Sequence, residues 1–387
     1  MASANTLTGL INNAYTAWDI VSRELTGFVP AATMDASAEQ AAVGQTIRTP
    51  IAPTAITTNI TAGSYAPDSG GQTMTYTDAT ISKSKMVPIM WTGEEQRSIG
   101  GVYGTIQTQR FAQAFRALVN EIEADLWVEA YTHASRAYGT AGTTPFASSL
   151  TDMAEIRRIL DDNGAPPSDR AMVINTAAGA KMRVLANLGV VSYAGSDQTL
   201  RGGTLLPVHG FAVYESGQIS THTAGAGTGY DIVGAGEAVG QTTLSLEGGT
   251  VNTTGIKAGD VITFAGGAAT DTNKYMVNTG LTATSGDIVI GNPGLKVVKD
   301  TSDELTIGGT YTPNVGFSRS ALKLIARAPL APQEGDGAAD RMYMTDPNTG
   351  LTFEISLWKQ YRQIHIEVAL AWGVKAVQSE HIAVLIG

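Results

Sequence analysis

A chain of 387 residues can hold two or three domains and a sizeable core; its 43% hydrophobic content is ordinary for a folded protein, whereas 16% charged residues is low. A net charge of −10 with no basic run excludes a surface that grips nucleic acid through its phosphates, though not one that merely encloses it. With no cysteine, disulfides, thiolate chemistry and cysteine-based metal sites are excluded.

The opening MASANTLTGLINNAYTAWDI lacks the basic start and the apolar run of a signal peptide. No window holds the ~18 consecutive apolar residues of a membrane span, so a soluble protein made in the cytoplasm is expected. Residues 1–30 scatter Leu10, Ile11, Tyr15, Trp18, Ile20 and Leu25 among small polar residues and then meet Pro30, which reads as a short helical arm unable to bury itself alone. From Gln45 to Trp91 the texture turns to Thr, Ile and Pro in alternation, with turn chemistry in AGSYAPDSGG at its middle. This predicts a long two-stranded excursion with no hydrophobic face of its own. Such hairpins are marginal unless another chain covers them, so Thr61–Gln72 is expected to be mobile in the free subunit.

The strongest period follows. Phe111, Phe115, Leu118, Ile122 and Leu126 recur at steps of three and four within Gly93–Ala137, the signature of a long amphipathic helix. Its opening TGEE places Thr92 near a cap, with Glu94 and Glu95 favourable to the helix dipole. A second helix, SLTDMAEIRRILDDNG, should stop at Gly164 ahead of Pro166 and Pro167. DRAMVINTAAGAKMRVLANLG then reads strand, turn, helix, and TLLPVHGFAVYESGQIS reads as a strand running into a loop.

From about Gly234 to Pro313 short alternating pieces (TTLSL, DVITF, KYMVN, DIVIGN, ELTIGG) are separated by Gly, Asn and Asp, the pattern of an all-β module of five or six strands. Within it, AGDVITFAGG raises the question of a phosphate cradle. A cradle needs a helix opening after the glycines, whereas KYMV, another strand, comes next. The stretch is therefore read as part of a barrel. Residues Ala238–Tyr311 carry an apolar set of their own, Leu244, Leu246, Ile262, Phe264, Val277, Ile288 and Ile290, and are expected to fold alone.

IKAGDVITFAG followed by NKYMVNTG and SGDIVIGNPGL is similar to the inserted β-domain of P22-like bacteriophage coat proteins. LLPVHGFAVYES before it, GFSRSALKLIARAPLAP after it and the closing YRQIHIEVALAWGVKAVQSEHIAVLI resemble segments of the HK97-like phage capsid fold. The resemblance implies an α+β chain divided into an N-terminal arm (1–44), an extended β-hairpin loop (45–92), a peripheral domain with a spine helix (93–149), an axial domain (150–237), an inserted β-barrel (238–312) and a C-terminal return to the axial and peripheral domains (313–387). It further implies a major capsid protein, found in the virion and assembled in the bacterial cytoplasm. Its partners would be copies of itself in pentamers and hexamers, a scaffolding protein, a portal and, in some relatives, a decoration protein, around double-stranded DNA that it does not read. A β-rich adhesin-type surface protein is the alternative, in which the barrel would be the active part.

No residues nominate an enzyme, and no cofactor is expected. The five histidines (His133, His209, His222, His365, His381) fall on unlike elements without an H-E-x-x-H pattern. Glu129 and His133, one helical turn apart, read as a solvated pair rather than metal ligands. No G-x-S-x-G elbow exists, and the adjacent carboxylates Asp161–Asp162 and Glu94–Glu95 cannot face each other across a sugar. Glu121, Asp125 and Glu129 form an acidic line along the predicted spine helix. It is either a solvated face or a strip paired with basic residues of a neighbouring subunit, for which Arg97, Arg110 and Arg362 are candidates. With Tyr65 and Asp68 of the hairpin loop, these acids are the candidate interface residues. As a line of like charges, it predicts that Asp125→Asn leaves the monomer unchanged or slightly stabilised.

Overall fold

The computed structural model describes residues 16–17 and 25–387, apart from 52–56, 58, 61, 64–72, 100–102, 191–192, 194–197, 235, 267–269, 302 and 347–348. After a one-turn helix, α1 (Phe28–Ala31), come β1 (Thr33–Ala41), the hairpin β2 (Thr46–Ile51) and β3 (Thr75–Thr80), and β4 (Lys83–Thr92). Helices α2 (Gly93–Ile99) and α3 (Tyr103–Thr132) follow, then β5 (Arg136–Gly139), α4 (Thr151–Asp162), β6 (Arg170–Ile174), α5 (Thr176–Val184) and β7 (Phe211–Glu215). Next are β8 (Tyr230–Ile232), β9 (Thr243–Glu247), β10 (Val261–Gly266), β11 (Lys274–Thr279), β12 (Gly286–Ile290) and β13 (Asp303–Ile307). The chain ends with β14 (Pro313–Ser318), β15 (Leu322–Pro329), β16 (Asp340–Thr345), β17 (Thr352–Gln360), β18 (Gln363–Ala376) and β19 (Ile382–Ile386).

Helix α3 organises the molecule. Its 30 residues span about 45 Å. Phe111, Phe115, Leu118, Ile122 and Leu126 are buried as their spacing predicts, and Ala112, Ala114, Val119, Trp127 and Ala130 widen the buried face. The helix lies on one face of a six-stranded sheet, β1-β15-β18-β17-β16 with β4 on the far side of β18. Phe115 meets Phe353 edge-on at 5.0 Å, within a core shared with Leu324, Leu370 and Trp372. The helical stretch predicted from Gly93 begins with the separate helix α2. Thr92 and Glu95 close a reciprocal capping box at its start: the Glu95 amide donates to Thr92 Oγ1 at 3.2 Å, and the Thr92 amide donates to Glu95 Oε2 at 2.8 Å.

A second, mixed stretch of sheet, β5-β19-β14-β6-β7, carries α4 and α5 and continues through the pairing of β5 with β11 into the next strands. Helix α4 stops where the sequence signals it, with the Ala165 amide donating to Leu160 O and Gly164 at φ +77°. Asn175 caps α5 by accepting from the Ala178 amide. Between β7 and β14 the chain builds a closed ring of six strands, β10-β13-β8-β9-β12-β11, with β11 pairing back to β10. All seven apolar residues singled out in the sequence lie in its buried core, with Tyr230, Tyr275 and Leu305.

Three expectations need correction. The arm is not free to its end, because β1 pairs in parallel with β15 as a strand of the main sheet. Pro30 does not stop it either; it sits within the single turn of α1, where no amide hydrogen bond is required of it. The hairpin is not naked throughout, since Ala79 and Ile81 pack with Ala41, Ile325 and Ala371 on the sheet face opposite α3, and β4 belongs wholly to that sheet. Nor does the ring begin at 238. Strand β8 closes it between β13 and β9, and the reciprocal bonds between His222 and Tyr311 form its neck. A fragment spanning 220–312 is therefore expected to give a dispersed amide spectrum. The fragment 238–311, which leaves the ring open where β8 is missing, should give a collapsed one, and equal dispersion from both would refute the closing role of β8.

Candidate assembly surfaces

The acidic line holds strands β4 and β18 to the helix. Lys83 Nζ donates to Glu121 Oε1 at 3.0 Å and to Asp125 Oδ1 at 2.8 Å, while Lys85 reaches Glu121 at 2.5 Å. Asp125 Oδ2 accepts from the Trp372 indole at 2.8 Å. Glu129 accepts from the Ala376 amide at 3.0 Å and lies 3.7 Å from Lys375 and 3.5 Å from His133. The line is thus paired with β4 and β18 of its own chain, and its cations are Lys83, Lys85 and Lys375 rather than Arg97, Arg110 or Arg362. Burial works to raise the Glu121 carboxyl, but Lys85 and Lys83 outweigh it and hold the carboxyl below its usual range. Burial likewise pulls Lys83 down, and Asp125 and Glu121 outweigh that to raise it.

The expectation for Asp125 reverses. Asp125→Asn loses one ion pair and weakens the bond to Trp372, at a partly exposed site. It should destabilise the monomer by about 1 kcal/mol in urea denaturation instead of leaving it unchanged. An unchanged midpoint would restore the solvated-face reading.

The hairpin β2–β3 precedes β4 in the chain. Arg48 pairs with Asp78 at 3.0 Å and stacks over Tyr76 at 3.8 Å, and both partners of the ion pair are exposed. At the base, Gly373 of β18 passes beneath β3 so closely that a Cβ there would lie 2.1 Å from Thr80 O. Tyr65 and Asp68, at the predicted tip, lie outside the described residues.

Two buried carboxylates, neither singled out in the sequence, fasten the remaining parts. Glu123 sits inside the apolar stripe of α3 with no exposure, accepting from the amides of Gly27 (2.5 Å), Phe28 (2.8 Å) and Val29 (3.0 Å). It thereby caps α1 and places Phe28 parallel to Phe317 of β14, with 6.0 Å between ring centres. Burial pushes the Glu123 carboxyl up, against the pull of the three amides and Ser216. At the neck of the ring, Asp260 accepts from His222 Nε2 (2.8 Å), the Gly225 amide (3.0 Å) and the Lys257 amide (2.7 Å). On its other side His222 Nδ1 lies 3.4 Å from the Tyr131 hydroxyl near the end of α3. The signal for Glu123 was available, a charge among Val119, Ile122, Leu126 and Trp127. Asp260 carried none, because its partners are assembled by the ring's closure.

AGDVITFAGG is strand β10, paired with β13 and β11, and its glycines lead to another strand rather than to a helix. Among the described residues no group of three or more His, Asp or Glu could hold a metal ion, and no helix is long and apolar enough to cross a membrane.

No family model and no curated protein matches the chain. Among solved structures it is similar to one described as the capsid of the cyanophage P-SCSP1u, at 12% identity and a TM-score of 0.48, over 94% of this chain and 88% of that one. It is also similar to the mature capsid of bacteriophage PhiM1, at 10% identity and a TM-score of 0.45, over 93% of this chain and 86% of that one. A third similarity is to a structure from Mycobacterium phage Che8, at 13% identity and a TM-score of 0.46, over 93% of this chain and 90% of that one.

Proposed function

We propose that this chain is the major capsid subunit of a tailed bacteriophage, of the P22-like kind within the HK97-like fold, and that copies of it close into an icosahedral shell around double-stranded DNA. One observation carries the reading. The hairpin β2–β3 is seated at its base on the sheet beside β4, whose Lys83 and Lys85 pair with α3, and beyond that base it carries exposed residues such as Arg48 and Tyr76. A rigidly rooted arm without a core of its own is suited to lying over a neighbouring copy, with Tyr65 and Asp68 in the covered part. The six-stranded ring is then the inserted β-barrel, and the sheet bearing α4 and α5 is the axial domain whose loops meet at the five- and sixfold positions. The net charge of −10 fits a container that encloses DNA without gripping it. A scaffolding protein and a portal complete the proposed partners, with assembly in the bacterial cytoplasm.

The test is negative-stain microscopy and sedimentation of the purified protein, alone and with its scaffold. Closed shells in which proteolysis within 61–72 is slower than in the free subunit are expected. A protein that stays monomeric under all conditions, or shells in which 61–72 is cut as fast as in the monomer, would overturn the reading.

A further inference from the structure

Inside the ring lies a group of charges that the proposed shell does not use. Lys299 is fully buried, with a side-chain exposure of 0%, and Asp271 beside it is at 1%. Lys299 Nζ is 3.0 Å from Asp271 Oδ2, yet it has no hydrogen-bond partner of acceptable alignment, so the amine abuts the carboxyl without being directed along a hydrogen bond. A second buried carboxylate, Asp303, has Oδ1 4.0 Å from the same nitrogen, and the Phe264 ring covers it at 4.9 Å. A desolvated ammonium lacking aligned hydrogen bonds is costly to keep, and such an orphan calls for an explanation.

We propose that Lys299 and Asp271 are joined by an intramolecular amide bond that the folded ring forms for itself. Asp271 is held as an electrophile would need to be. Its Oδ1 accepts from the Asn273 amide at 2.9 Å and from Asn273 Nδ2 at 2.7 Å, and its Oδ2 accepts from the Tyr275 hydroxyl at 2.9 Å. Burial works to raise the Asp271 carboxyl, but Asn273, Lys299 and Tyr275 together hold it low. Transfer of one proton from Lys299 to Asp271 Oδ2 supplies the neutral amine and acid between which the bond forms. The amine then attacks Cγ. The charge developing on Oδ1 is met by the two donors of Asn273, which act as an oxyanion hole. Asp303 takes the proton that the nitrogen sheds and returns it to the departing Oδ2, which leaves as water. One C–N bond forms, one C–O bond breaks, one water is released, and no oxidant or cofactor is required. The bond would staple the segment before β11 to the one before β13, around the ring's core. It stands independently of the proposed shell role.

Intact-mass measurement of the denatured full-length protein is expected to show a mass one water below that of the sequence. Peptide mapping should yield a branched peptide linking Asp271 to Lys299. Lys299→Met and Asp271→Ala should each run at the full mass of their own sequence, as should Asp303→Asn, which keeps the pair but removes the proton relay. A parent protein at full sequence mass overturns the proposal, and so does a missing water that maps elsewhere, for instance to Asp336–Gly337. Because the decisive reading is made on the parent protein, a variant that fails to fold leaves the test intact.

Discussion

Glu123→Ala should be the most damaging single truncation on the spine helix. It leaves the amides of Gly27, Phe28 and Val29 without their acceptor in a site closed to water. Each buried donor so stranded costs about 1–3 kcal/mol, so a loss of at least about 3 kcal/mol in urea denaturation is expected. Glu123→Gln retains one acceptor oxygen but turns an amide NH2 towards donors, and should cost less. The sign of the pH dependence separates charge from packing. Burial raises the Glu123 carboxyl above its ordinary value of 4.5, so its contribution to stability is full below 4.5 and is lost as pH rises through the folded value. Glutamine has no such titration, so the gap between parent and Glu123→Gln should narrow as the pH is raised from 4.5. Hydrogen exchange supplies the local readout, with amides 27–29 accelerating far more than those of β17 or β18. If exchange rises evenly over the whole chain, Glu123 is part of the general core and not the anchor of the arm.

What the sequence discloses follows the range of each interaction. The stripe on α3, the Thr92–Glu95 box, the stop at Gly164 and five of the ring's six strands all rest on neighbours a few positions away, and all are readable. Strand β1 is not. TMDASAEQA holds few β-branched or aromatic residues, and it becomes a strand because β15 offers it an edge nearly three hundred positions later. Strand β8 is too short to register as a period, and only the ring's closure gives it a place. The acidic line shows the same limit from the other side. Glu121, Asp125 and Glu129 looked unpartnered because Lys83 and Lys85 lie on β4, before α2, and Trp372 and Lys375 near the far end of the chain. Charges placed at regular helical spacing are legible one by one, whereas their partners are a product of topology.

The neck of the ring provides the second large effect. Asp260 is fully buried and gathers donors from two segments, 222–225 and 257, that enter the ring from different directions. Asp260→Ala strands all three donors and is expected to cost about 3 kcal/mol or more. Tyr131→Phe, which removes only the long 3.4 Å contact to His222, should cost under about 1 kcal/mol. Because the ring has its own core around Leu244, Leu246, Ile288 and Ile290, the loss should be local. Exchange should quicken at 222–225 and 257–260 while amides of β9 and β12 remain protected. Glu123 and Asp260 share no partner, so the two losses should add to within about 0.5 kcal/mol in the double variant. If the chain assembles as proposed, Asp260→Ala subunits would carry a folded ring whose neck is loosened while β11 still pairs with β5, and closed shells should give way to irregular ones in electron micrographs. Regular shells from a variant whose neck is shown by exchange to be open would mean that the ring's stance does not govern closure.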